Sequence, residues 1–147
     1  MTVLYADTSA VFRAYFRSEA GHAELRKLLI EGADPVATSE LTRVEFASAV
    51  AAARRAGKIR ETRSLLDRFE VDCAVDGSIN LLHLDPPVVL PMARRIVTEH
   101  AVRTLDAIHL AVALIDATAL AAGDPVVLVT RDKQQAEAAR ALGLSVY

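Results

Sequence analysis

Val126-Val127-Leu128-Val129-Thr130-Arg131-Asp132 is the stretch that decides the fold. Its first four residues are aliphatic without polar alternation, the pattern of a strand covered on both faces, as in the parallel sheet of an α/β protein. Outward from it, Val3–Ala6, Pro35–Thr38, Ile79–Leu84 and Leu144–Val146 read as further short strands, the last as an edge strand, and the longer spacers carry helical patterning. Alternating strands and helices imply right-handed crossovers between parallel strands.

Capping chemistry marks the helices. Ser39 precedes an Ala-rich run that ends at Gly57, Thr104 precedes Leu105-Asp106-Ala107-Ile108, and the run Ala136 to Leu142 closes at Gly143. The Ser39–Gly57 helix and the basic segment from Lys58 to about Cys73 form a helical hairpin inserted between two strands, a candidate for dimer contacts. Val11, Phe12, Tyr15 and Phe16 make an apolar helix stripe whose default place is the core, with part of it free to receive a partner's helix or strand.

At 147 residues, 52% hydrophobic and 24% charged, the chain has the size and composition of one globular domain, residues 1–147. The lone Cys73 excludes an internal disulfide and is expected as a buried small hydrophobe. The amino terminus lacks the basic start and apolar stretch of a signal peptide. A cytoplasmic protein with no membrane attachment is expected, and Ala107 to Ala122, the most apolar window, is a buried helix interrupted by His109 and Asp116. A formal net charge of −2 gives no overall attraction to phosphates, so nucleic-acid binding would rest on local patches. One candidate patch is Arg54, Arg55, Lys58, Arg60, Arg63 and Arg68, opposed in sequence only by Glu61 and Asp67; a solvated helix face is the plainer reading.

In open α/β sheets ligands sit beyond the carboxyl ends of the strands. Asp7 ends the first strand, and Asp132 follows the Val126 strand in the turn Thr-Arg-Asp-Lys. Glu45 lies in the helix after the second strand and Asp106 in the first turn of the Ala107 helix, within reach of the same edge. Glu40 competes with Glu45, and spacing alone does not choose. Asp34 and Asp124 precede prolines at strand entrances, the opposite end of a parallel sheet, where turn formation explains them. Each site acid also has a bland role: Asp7 and Asp132 as helix caps, Asp106 as a first-turn acid, Glu45 as a surface neighbour of Arg43. Gathered in one cleft, they repel unless a cation neutralises them, and oxygen ligands suit Mg²⁺ or Mn²⁺. Such a site suits phosphodiester hydrolysis, the ion activating water and stabilising the leaving oxygen.

Tyr5-Ala-Asp7-Thr-Ser9-Ala, Ser39-Glu-Leu-Thr-Arg-Val-Glu45, Leu105-Asp106-Ala-Ile-His-Leu-Ala and Val129-Thr130-Arg-Asp132, in that order, resemble the motifs of the PIN-domain ribonucleases, and within them the VapC-type toxins of bacterial toxin–antitoxin pairs. The resemblance covers essentially the whole chain. It implies a three-layer sandwich with a central, mostly parallel sheet of about five strands flanked by helices. It selects Glu45 over Glu40. It also implies that Asp7 and Asp106 are the principal metal ligands, that Glu45 and Asp132 complete a catalytic quartet, and that Ser9 orients ligands or water. The implied activity is Mg²⁺-dependent cleavage of a structured RNA, tRNA or ribosomal, with Mn²⁺ as a possible substitute. The implied partners are a VapB-type antitoxin and a second copy of the chain. Arg131 is equally a phosphate contact and an exposed structural residue.

His109, three residues after Asp106, has a spacing that supports metal ligation elsewhere but is expected to pack near the cleft. His22, His83 and His100 share no ligand spacing, and neither a Ser-His-Asp arrangement nor a Gly-rich phosphate loop is present. Two other functions compete: a receiver-like phosphoacceptor domain built around Asp85, and a PIN-like module that binds RNA or protein without hydrolysis. The receiver lacks paired acids after the first strand, and a haloacid-dehalogenase-like phosphatase fails because Ser9 stands where it needs a second Asp.

Overall fold

β1 (Val3–Ala6) lies at the centre of the sheet because every one of its side chains has an apolar layer to enter. The computed structural model describes residues 1–147. After β1 come α1 (Thr8–Tyr15), α2 (His22–Leu29), β2 (Val36–Ser39), α3 (Leu41–Arg55), α4 (Arg63–Asp72), β3 (Ile79–Leu82) and α5 (Pro86–Glu99). The chain ends with α6 (Thr104–Val112), α7 (Thr118–Ala121), β4 (Val126–Val129), α8 (Lys133–Ala141) and β5 (Ser145–Val146). A π-helical turn, Ala113–Ala117, joins α6 to α7. The strands form one parallel sheet in the order β3-β2-β1-β4-β5.

Successive residues of a strand face opposite sides, and the two cores divide accordingly. Leu4, Ala6, Val36 and Val129 pack with Val11, Tyr15, Leu25, Phe46, Val50 and Phe69 from α1 to α4. Tyr5, Ala37 and Leu128 pack with Val89, Ile96, Leu110, Ala111 and Ala139 from α5, α6 and α8. This is the expected three-layer sandwich. The 18-residue run Thr104–Ala121 has a mean hydropathy of 1.5, enough by length and composition to cross a membrane. Its Ala107, Leu110, Ala111, Val112, Ala113 and Ala117 are instead fully buried in the second core.

The differences from expectation lie at element ends. β2 runs from Val36 to Ser39, one residue later than the sequence suggests, with Pro35 contributing only its carbonyl, which accepts from Leu4 N at 2.8 Å. Ser39 therefore closes the strand, yet its hydroxyl still accepts from Leu41 N at 3.1 Å, and α3 starts at Leu41. β3 stops at Leu82 because the Leu84 amide is taken by the Glu40 carboxylate at 2.6 Å. Thr104 is the first residue of α6 and supplies no side-chain cap. Cys73 is half-buried rather than buried, and its thiol is pushed up to about 12 by desolvation and by Glu70.

α3 and α4 form the expected hairpin between β2 and β3. Its six basic residues from Arg54 to Arg68 are all exposed. Its inner side is aromatic: Phe46 lies 4.6 Å from Phe69 and 5.4 Å from Tyr15 between ring centroids. Tyr15 also donates from its hydroxyl to Asp72 at 2.6 Å, tying α1 to the end of α4. Phe46→Ala leaves a cavity at this junction and is expected to lower unfolding free energy by about 3–5 kcal/mol in urea denaturation. A loss below about 1 kcal/mol would show that the aromatic junction does not hold the hairpin.

Candidate active site

The chain leaves β1 toward β2 on one side of the sheet, while β4 joins β1 on the other, so the order of connection reverses between β1 and β4. At such a switch point the carboxyl ends of adjacent strands open a crevice. The register pairs Ala6 with Val129, so Asp7 and Thr130 emerge side by side. Thr130 Oγ1 stands 2.8 Å from Asp7 Oδ2 and 2.8 Å from Gln135 Oε1. It has one proton for the two, and the carboxylate is the stronger acceptor.

Asp7 is only 3% exposed. Its Oδ1 accepts from Ala10 N at 3.0 Å, the cap of α1, and from Ser9 Oγ at 2.8 Å. Ser9 in turn accepts from Arg131 N at 3.0 Å. No Lys or Arg is among the partners of Asp7. Burial pushes its pKa upward, against the opposing pull of the Ala10, Ser9 and Thr130 hydrogen bonds and of His109. Asp132 has a cap role as well, accepting from Gln135 N at 2.9 Å. The cap role of these two acids is compatible with the expected chemical one, because a strand end opening into a helix N-terminus is also the rim of the crevice.

Asp106 and Asp132 are joined by Arg103, which the sequence reading passed over. Its Nε lies 3.3 Å from Asp106 Oδ2 and its Nη2 3.4 Å from Asp132 Oδ2. Burial raises the Asp106 pKa; Arg103 lowers it and Asp132 raises it again. The Arg103 side chain is 78% exposed, so the ion pairs are long, solvated and easily exchanged. Its signal in the sequence is position: three residues before Asp106 on the same turn.

Glu45 comes to the same edge from α3. Its Oε1 accepts from Thr8 Oγ1 at 2.9 Å and faces His109 Nε2 at 2.6 Å. Burial pushes the Glu45 pKa up, but the hydrogen bond and charge of His109, with Thr8, more than reverse it, and the net shift is downward. His109 is buried, as expected, beside the cleft rather than in it. Glu40 is committed elsewhere: it holds Leu84 N and stands 3.4 Å from His83, and the Leu84 bond chiefly lowers its pKa. The structure thus leaves Glu45 as the α3 acid at the crevice. Asp34 and Asp124 lie at the other end of the sheet, near Thr2 N and the terminal ammonium. Arg131 is held by Thr130 O, Tyr147 O and Glu24, with its guanidinium 5.5 Å over the Tyr147 ring, a structural clasp.

As the side chains lie, no three carboxylates or histidines close on one point as a ready metal cage. The donor chemistry nonetheless fits a hard divalent ion. Every acid brings oxygen, Asp7 is buried without a counter-charge, and Asp106 with Asp132 already share one displaceable cation. Asp85 follows β3 at the far edge of the sheet, two strands from Asp7, which separates a receiver-type phosphoacceptor from the acid cluster.

The sequence profile of the PIN domain matches residues 4–141. No curated protein sequence matches the chain. Among solved structures, VapC20 of Mycobacterium tuberculosis, described as a Sarcin-Ricin loop cleaving toxin, superposes with a TM-score of 0.67 at 17% identity, covering 96% of this chain and 95% of its own. VapBC2 of Rickettsia felis, bound to a DNA fragment from its promoter, gives 0.65 at 12% identity, covering 99% and 97%. FitAcB of Neisseria gonorrhoeae gives 0.60 at 18% identity, covering 100% and 96%. At these identities the likeness is one of fold.

A carboxyl whose pKa is raised by folding destabilises the fold once it ionises, so the stability it costs appears as pH rises through the carboxylate range. Asparagine keeps the α1 cap without the charge. Asp7→Asn is therefore expected to be at least as stable as the parent at neutral pH in chelator, measured by thermal or urea denaturation. A marked loss of stability would mean that the Asp7 charge is already compensated by the protein.

Proposed function

Since the chain belongs to the PIN-domain family, we propose that it is a metal-dependent endoribonuclease, the toxin of a VapBC-type toxin–antitoxin pair, acting on a structured RNA such as a tRNA or a ribosomal RNA loop. The observation that carries this reading is the gathering of Asp7, Glu45, Asp106 and Asp132 at the switch point, with the most buried of them lacking a protein counter-charge. Asp7 and Asp106 would be the principal ligands of Mg²⁺, or of Mn²⁺ in its place. When bound, such an ion supplies Lewis acidity to water and phosphate.

The chain's own residues do the rest. Ser9 and Thr130 fix both oxygens of Asp7, so its lone pairs are set before a ligand arrives. Asp132, anchored as the α8 cap, holds its carboxylate across from Asp106. Arg103, its side chain exposed, would leave these acids to meet a phosphate. The exposed basic residues of the α3–α4 hairpin offer the surface for the RNA backbone.

An antitoxin partner is supported by the likeness to VapBC2, to FitAcB and to a toxin–antitoxin complex from Klebsiella pneumoniae. A cleft of about 290 Å³ beside Tyr15 and Phe16, lined also by Ile59, Leu65, Arg17 and Lys58, suits an apolar segment of such a partner. A second copy of the chain would cover Leu90 and Val97, which lie two turns apart on one exposed side of α5. The location proposed is the cytoplasm, where these RNAs are found.

The test is incubation of a mixed RNA pool with Mg²⁺ or Mn²⁺. Cleavage is expected for the parent, abolished by chelator and lowered about 100-fold or more in Asp7→Asn and Asp106→Asn, the scale of losing a group that stabilises transition-state charge. Cleavage unchanged in both variants would overturn the site, and a correctly folded parent that cuts no RNA with either ion would favour a binding module.

A further inference from the structure

Tyr5, in the middle of β1, is fully buried and yet carries a hydroxyl. That hydroxyl lies 2.8 Å from His109 Nδ1, and the opposite ring nitrogen, Nε2, lies 2.6 Å from Glu45 Oε1. A line of three side chains therefore runs from the centre of the sheet to the crevice. A phenol, with an ordinary pKa of about 10, keeps its proton at neutral pH. The Ser39 backbone amide also bonds the Tyr5 oxygen but can only donate, so His109 Nδ1 is the partner that can accept the hydroxyl proton. The proton thus points at Nδ1, which must offer a lone pair, and the ring's own proton is left on Nε2, aimed at Glu45.

We infer that His109, its tautomer fixed by Tyr5, is a positioning residue that binds Glu45 through Oε1 alone and so leaves Oε2 to receive a hydrogen bond from water. Thr8 Oγ1 donates to the same Oε1 at 2.9 Å, which completes the division between the two oxygens. Oε2 has no protein hydrogen bond, on a side chain that is 21% exposed. The inference rests on the nuclease reading for the use to which Glu45 is put, but not for the relay itself. Glu45 becomes the acid that orients water, distinct from Asp7 and Asp106. A buried histidine that merely fills space would need neither a fixed tautomer nor a donor aimed at the cleft.

Two measurements test it. Long-range proton–nitrogen correlation spectra of the ¹⁵N-labelled protein in mildly alkaline buffer are expected to show His109 protonated at Nε2, with Nδ1 as a hydrogen-bonded acceptor. In Tyr5→Phe, the Nδ1 resonance should move toward that of a free acceptor. Protonation at Nδ1, or a spectrum unmoved by Tyr5→Phe, would overturn the relay whether or not the protein cuts RNA. In RNA cleavage, His109→Leu should lower kcat about 10–100-fold, the scale of losing an orienting partner, with KM little changed. His109→Gln, which presents an acceptor to Tyr5 and an amide donor to Glu45, should recover most of that rate. Equal rates for the Leu and Gln variants, each shown to be folded, would overturn the positioning role. Absence of cleavage in the parent would overturn the nuclease reading, leaving the spectra to decide the relay.

Discussion

The structure is organised around one unfavourable act, the burial of the Asp7 carboxylate between the ends of β1 and β4. A charge taken from water without a cation must be met by hydrogen bonds or by a shifted pKa, and here both occur. The donors come from three places: the first turn of α1, the Ser9 hydroxyl and the Thr130 hydroxyl. The first two are local to α1; the Thr130 donor depends on the parallel register of β1 with β4. A slip of one residue would reverse the faces of β4, sending Leu128 and Val129 each into the wrong core and moving Thr130 off Asp7.

The remaining acids differ from Asp7 in that the protein already supplies their counter-charge or donor. Glu45 has His109 and Thr8; Asp106 and Asp132 share Arg103. The buried partner, His109, is fixed in place, whereas the exposed one, Arg103, is free to exchange. On the proposed function, this grading suits a crevice that would admit a cation and a phosphate at its mouth while keeping its inner wall fixed. It also explains why Glu40, only five residues from Glu45, serves a different purpose: its carboxylate ends β3 and orders the entry to α5.

The β4 run Val126–Val129 and the β1 run Val3–Ala6 were legible to the residue, since continuous aliphatic patterning leaves no choice of face. The acids at strand ends were legible too, because the C-terminal edge of a parallel sheet is where ligands bind. Strand ends were less so. Ser39 reads as a helix cap and Leu84 as a strand residue until Glu40 is seen reaching between them, a contact 44 residues apart in sequence. Thr130, the Tyr5–His109–Glu45 line and the reach of Arg103 to Asp132 were missed for the same reason, although the place of Arg103 three residues before Asp106 was in the sequence. Tyr5 has the pattern of a core aromatic and His109 that of a helix-face residue, and only the packing of α6 over β1 makes one orient the other. Arg131, which the sequence leaves as equally a phosphate contact or a structural residue, is held in the structural role by the Tyr147 ring and Glu24.

On the proposed function, the acids at the β1–β4 switch form an incomplete site that a divalent ion would finish. The most direct measurement is anomalous X-ray diffraction from crystals of the protein soaked in Mn²⁺. A single strong anomalous peak touching carboxylate oxygens of Asp7 and Asp106, with Arg103 withdrawn from Asp106, is the result expected. No peak in the crevice at saturating Mn²⁺, with Arg103 still bridging Asp106 and Asp132, would contradict it.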